Sequence, residues 1–73
     1  MNESEQKFIV KFPEEYLGEV MGKLSAEGAS PIDAYNDNGI FTIEASHLKS
    51  KLTQFQKWFE ENTDGKGEFV LER

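Results

Sequence analysis

A single histidine, a run of Asp and Asn, a Gly-Lys-Gly turn and a surplus of carboxylates are the places where this chain could do chemistry. His47 is the one histidine. As a catalytic base it would need an orienting partner and a nucleophile beside it. Nothing around it marks either, so His47 reads as a surface residue in the first turn of a helix. The segment Asp33–Gly39 is rich in Asp and Asn, which suggests calcium. With Gly39 as the turn glycine of a calcium loop, however, the first ligand falls on Ala34 and the last on Ala45, and neither can ligate. Gly65-Lys66-Gly67 could offer backbone N–H groups to an anion, or form a tight turn that sets the register of a last strand, which is the plainer reading. The abundance of acids supplies no pair at the fixed separation that carboxylate catalysis requires. No catalytic, cofactor-binding or metal-binding residue is assigned. The expectation is a chain that is not an enzyme and carries no cofactor.

The chain has 73 residues, the length of one small domain. Such a domain buries only about 60% of its unfolded surface, so nearly every large apolar side chain is needed inside. With 37% hydrophobic and 30% charged residues, the composition fits a globular domain rather than a disordered tail. There are no cysteines, hence no disulfide and no thiolate site. No apolar run approaches the ~20 residues of a membrane helix, and membrane association is not expected. The opening Met1-Asn2-Glu3-Ser4-Glu5 is polar and acidic, unlike a secretory signal, so a cytoplasmic location is expected. The formal net charge is −6, from 14 acids and 8 bases. Phosphate contacts need clustered Lys and Arg, so direct nucleic-acid binding is not expected and a protein partner is. The chain itself is expected to be a monomer or a weak homodimer.

The elements that would position these residues follow from periodicity. Residues 1–5 carry none and read as a disordered N-terminal segment, with residues 6–73 forming a single domain. Lys7–Phe12 alternates, with Phe8, Val10 and Phe12 on one side of a strand and Lys7, Ile9 and Lys11 on the other. Pro13 then suits a first helical turn. Glu14 and Glu15 place negative charge at the positive end of the helix dipole. Tyr16, Leu17, Val20, Met21 and Leu24 share one helical face, and Gly28 supplies the left-handed cap after Glu27. Gly18 and Gly22 line one flank of this helix, either packed closely against a neighbour or left smooth for a partner.

Ser30–Asn36 reads as a second strand, with Pro31 placing it at a sheet edge. Asp37-Asn38-Gly39 is a hairpin turn, and Ile40–Ala45 is a third strand with Phe41, Ile43 and Ala45 inward. Ser46 is a candidate N-cap for a second helix, whose stripe is Leu48, Leu52, Phe55 and Phe59. Glu68–Glu72 closes the chain as a fourth strand. The order strand, helix, strand, strand, helix, strand predicts an α+β, ferredoxin-like βαββαβ sandwich. Its four-stranded antiparallel sheet takes the order 4-1-3-2, with both helices on one face. The predicted core is Phe8, Val10, Phe12, Leu17, Val20, Leu24, Ile32, Phe41, Ile43, Leu48, Leu52, Phe55, Phe59, Phe69 and Leu71.

Three segments resemble a known family. Pro13-Glu14-Glu15-Tyr16-Leu17-Gly18-Glu19-Val20-Met21-Gly22 is similar to the P-E-E-Y-x-G-x-V-x-G opening of the first helix in the C-terminal (fifth) domain of translation elongation factor G. The tetracycline-resistance ribosomal protection proteins share that domain. Thr63-Asp64-Gly65-Lys66-Gly67-Glu68-Phe69 resembles its T-x-G-R/K-G-x-F, and Ser46-His47-Leu48 stands where it has V-P-L. The likeness spans residues 6–72. It implies a ferredoxin-like fold in a free-standing chain, and a role near the ribosome or a translation factor. Where the family has S-R-R-G after its first helix, this chain has Ser25-Ala26-Glu27-Gly28, so two cations are missing and one is replaced by an acid. No G-x-x-x-x-G-K-[ST] phosphate loop occurs.

The functional reading therefore falls on surfaces. The open face of the sheet should present Ile9, Tyr35, Ile40 and Val70 among Lys7 and Lys11, as a candidate site for a protein partner or for self-association. Gly18, Gly22 and Lys66 form a candidate secondary surface.

Overall fold

Period-two alternation puts Phe8, Val10 and Phe12 on one side of the first strand, and the sheet is built around that side. In the computed structural model, which describes residues 4–72, β1 is Glu5–Pro13, α1 Leu17–Glu27, β2 Ser30–Asp37, β3 Ile40–Leu48, α2 Lys49–Asn62 and β4 Glu68–Leu71. A short 3-10 turn, Glu14–Tyr16, joins β1 to α1. The sheet order is β2-β3-β1-β4 with every pairing antiparallel, which is the predicted 4-1-3-2 read from the opposite edge. Phe8 lies opposite Ala45 and Leu71, Val10 opposite Ile43 and Phe69, and Phe12 opposite Phe41. Phe8, Val10, Phe12, Ile43 and Ala45 join Val20 and Leu24 of α1 and Leu52, Phe55 and Phe59 of α2 in one buried cluster. Both helices thus cover the same face. Phe55 is fully buried with its ring 5.5 Å from that of Phe8; burying one such side chain contributes about 1.5–3 kcal/mol.

The turns follow their local chemistry. Asn38 (φ 55°) and Gly39 (φ 87°) both take positive φ, as a two-residue hairpin with right-handed strand twist requires. Gly28 ends α1 in the left-handed conformation and donates its N–H to the Leu24 and Ser25 carbonyls. In the second loop the Lys66 N–H donates to the Thr63 carbonyl at 2.8 Å and the Gly65 N–H to the Glu60 carbonyl. Gly67 lies so close to α2 that an added Cβ would stand 2.5 Å from the Phe59 ring.

Several sequence expectations are corrected. Pro13 is the last residue of β1, ahead of the helical turn it was expected to begin. Of the disordered segment expected over residues 1–5, the first three residues lie outside the described residues; Glu5 already pairs with Leu48 in the sheet. That early start of β1 carries β3 on past Ala45. Ser46 is therefore a strand residue whose hydroxyl donates to the Glu5 carboxylate at 3.0 Å, and α2 begins at Lys49 without a side-chain cap. His47 is a buried strand residue, only 4% exposed, instead of a surface residue of a helix. Ile32 and Leu71 are 51% and 55% exposed, so neither belongs to the core. A bulge between Pro31 and Asp33 displaces Ile32 on the outermost strand, and Leu71 ends a short edge strand. Leu17, Phe41 and Phe69 pack on the core from its margin, and Leu48, the last residue of β3, is half-buried.

Candidate interaction surface

The same alternation that builds the core fixes what the other side of the sheet presents. Cross-strand partners there form rows. Tyr35, Thr42, Lys11 and Glu68 make one; Asp33, Glu44, Ile9 and Val70 make the next. Ile40 lies opposite Asp37 and Pro13, diagonal to Tyr35. Directly opposed side chains sit about 4.5–5.5 Å apart at Cβ and diagonal ones about 7–8 Å. Ile9 with Val70 and Tyr35 with Ile40 are thus two apolar pairs, bridged by Thr42 and Lys11. Tyr35, Ile40 and Val70 are 55%, 43% and 40% exposed, and among the described residues no helix crosses this face. The four apolar residues singled out in the sequence lie on this face, Ile9 half-buried, with Lys7 and Lys11 exposed among them.

This face also carries an acid pair, Glu44 and Glu72. The Glu44 carboxyl is held above its ordinary value, first by a hydrogen bond shared with the Glu72 carboxyl, then by partial desolvation and the Glu72 charge, with Lys7 opposing. Glu72 Oε2 is shut off from solvent and has no N–H donor among the described residues. A proton on Glu44 is what would satisfy it.

Gly18, Gly22 and Lys66 lie away from this face. Both helical glycines are exposed, and nothing stands within 4 Å of where their Cβ atoms would be. Close packing against a neighbour is thereby ruled out among the described residues, and the flank is smooth and open. The backbone N–H groups of Gly65 and Lys66 are used inside their own turn, which leaves the turn reading in place of an anion cradle. In Asp33–Gly39, the Asp33 carboxylate accepts the Ala34 N–H and Asn36 Oδ1 accepts the Gly39 N–H, so these oxygens serve the local backbone.

A polar network on the helix side was missed from sequence. His47 Nε2 stands 3.2 Å from Glu27 Oε1, Glu27 Oε2 is 3.3 Å from Lys23 Nζ, and that ammonium lies 5.6 Å from the Trp58 ring centre. A carboxylate can only accept, so Nε2 carries the proton. The Glu27 carboxyl is lowered, chiefly by this hydrogen bond. The signal was present: His47 continues the inward parity of Phe41, Ile43 and Ala45. No three His, Asp or Glu side chains gather as a metal site among the described residues.

No protein-family model matches the chain, and no curated protein matches it. Its shape matches 90 solved chains. One is a crystal structure of a Thermus thermophilus protein, similar with a TM-score of 0.84 and 21% identity over 96% of this chain. This chain spans 11% of that protein's length. The fold implied by the elongation-factor resemblance is therefore the fold found. A shape shared so widely does not select an activity.

Proposed function

We propose that this chain is a non-catalytic binding module that engages a protein of the translation machinery through the open face of its sheet. The observation that carries the reading is the exposure of Tyr35, Ile40 and Val70, with half-buried Ile9 beside Val70, on a face that neither helix covers. Clustered apolar surface rimmed by charge marks an interaction site more often than solitary apolar residues do. The translation assignment leans on the likeness of Pro13–Gly22 and Thr63–Phe69 to the elongation factor's C-terminal domain. Contact with RNA through the turn after α1 is not part of the proposal, because Glu27 holds an arginine position of the family and is committed to His47 and Lys23. Co-sedimentation with ribosomes across a salt series tests it. Retention at low salt is expected, falling about tenfold or more in Ile9→Lys, the loss from roughly 1.4 kcal/mol of binding energy. A chain that stays in the supernatant at low salt would sink the reading.

The two apolar pairs also favour a second reading, self-association or docking of a protein unrelated to translation on the same face. Light scattering separates it: a monomer for both wild type and Ile9→Lys, with no partner recovered by pull-down, removes it.

A further inference from the structure

The edge of the sheet at β2 leaves another surface uncovered, with a groove on the helix side and Asp33 and Asp37 on the side of the open face. Every residue of β2 is exposed, and β2 pairs with β3 alone. Its other side presents main-chain N–H and C=O groups without a ladder partner, the usual template for an added strand. Pro31 and the bulge after it interrupt the first residues, which leaves Asp33–Asp37 as the regular run. Within that run the Ala34 N–H donates to the carboxylate of its neighbour Asp33 at 2.9 Å.

Ahead of this run, a groove of about 350 Å³ lies between α1 and the start of β2, lined by Met21, Leu24, Ser25, Gly28, Ala29 and Pro31. Met21 is 40% exposed, and Ile32, beside Pro31, is 51% exposed. Gly18 and Gly22 continue the Ser25 row along α1 and place no side chain in the way. The surroundings are acidic. Glu15 and Glu19 are exposed near the start of α1, Glu14 reaches β2 to accept the Asn36 amide at 2.7 Å, and Asp33 and Asp37 lie on the strand itself. Lys23, the cation of α1, is engaged by Glu27.

We infer that this edge binds an extended, basic segment of another protein by strand addition along Asp33–Asp37, with an apolar side chain of that segment seated in the groove. Main-chain hydrogen bonds would supply affinity, and the groove would select alternate side chains. On docking, the Ala34 N–H passes from Asp33 to a carbonyl of the incoming strand, and the freed carboxylate meets one of its cations. A second copy of this chain is the poorer occupant, because antiparallel self-pairing sets Asp33 and Asp37 of both copies along one ladder, where like charges oppose association.

The test is an amide NMR titration with a peptide of about eight residues alternating lysine and leucine, long enough for one strand. Controls replace lysine by glutamate, or N-methylate the pairing edge. Saturable shifts are expected at residues 33–37 and at Met21 and Gly22, with slowed exchange of the Ala34 amide. Affinity should fall about tenfold or more in Asp33→Lys/Asp37→Lys, a loss of roughly 1.4 kcal/mol. Neither control peptide should bind. The proposal is overturned by an absence of saturable shifts, by shifts centred on Ile9, Thr42 and Val70, or by equal binding of the N-methylated peptide. Self-association of the wild type through residues 33–37 would also overturn it, since it gives the edge to a second copy. Should the double variant fail to fold, the N-methylated peptide on wild type decides.

Discussion

Glu27 ties the end of α1 to the end of β3. Its partner His47 is buried, and a buried ring nitrogen that loses its acceptor costs about 1–3 kcal/mol. Because the Glu27 carboxyl is lowered from 4.5, the folded state favours the carboxylate more than the unfolded chain does. Its contribution is therefore present above the ordinary value and lost as pH falls through the lower, folded one. Glu27→Gln keeps an oxygen that accepts from His47 and loses only the charge, so it should reduce stability by about 0.5–1.5 kcal/mol near neutral pH, with the gap from wild type closing at acid pH below the lowered value. Urea unfolding at the two pH values checks this; a gap unchanged by acid would mean that shape, not charge, carries the effect. Glu44 runs the other way. Its carboxyl is raised by Glu72, so its contribution is fully present below the ordinary value and is lost as pH rises through the raised one. Glu27 stood out only as an acid in an arginine position of the resembling family, and neither pairing was legible in the sequence, where carboxylates are many and partners come from distant elements. His47 was within reach. The Ser46 cap reading ended β3 too soon and hid the parity that turns His47 inward.

At the scale of elements, α1 shows how a correct boundary can hide a wrong reason. Its end at Gly28 was legible from cap chemistry. Its two internal glycines suggested a tight neighbour, yet both face open space. Neither has positive φ, so an alanine fits the backbone at each position. Gly18→Ala and Gly22→Ala should each stabilise the protein by about 0.5–1 kcal/mol, read as a rise in melting temperature. A fall in either would show that the flank is covered in solution. At β2 the hairpin and edge position were readable from Pro31 and Asn38-Gly39. The bulge that displaces Ile32 was not, because an apolar residue in a strand carries no mark of whether a helix will lie over it. Leu71 fails for the same reason at the opposite edge. The junction of β3 with α2 is set by pairing with Glu5, far away in the chain, and so lies beyond any local signal.

For the molecule as a whole, element order and sheet order were legible because they rest on alternation and turn residues that the chain states locally. The open face was legible too, since the residues left over from the core of an alternating strand must face the other way. What the face contains beyond its apolar pairs, and what the β2 edge leaves uncovered, depends on how the helices are set over the sheet. The placing of β1 reaches into the protein's synthesis. It lies in the middle of the sheet, between β3 and β4, so the first of the four strands is completed by the fourth. While a nascent chain still holds Glu68–Leu71 in the exit tunnel, Val10 lacks Phe69 across from it and one flank of β1 stays bare. Long-range pairing of this kind is slow to form. A polypeptide ending at Gly67 should therefore show no cooperative urea transition, while one that also carries Glu68–Leu71 should unfold in a single step.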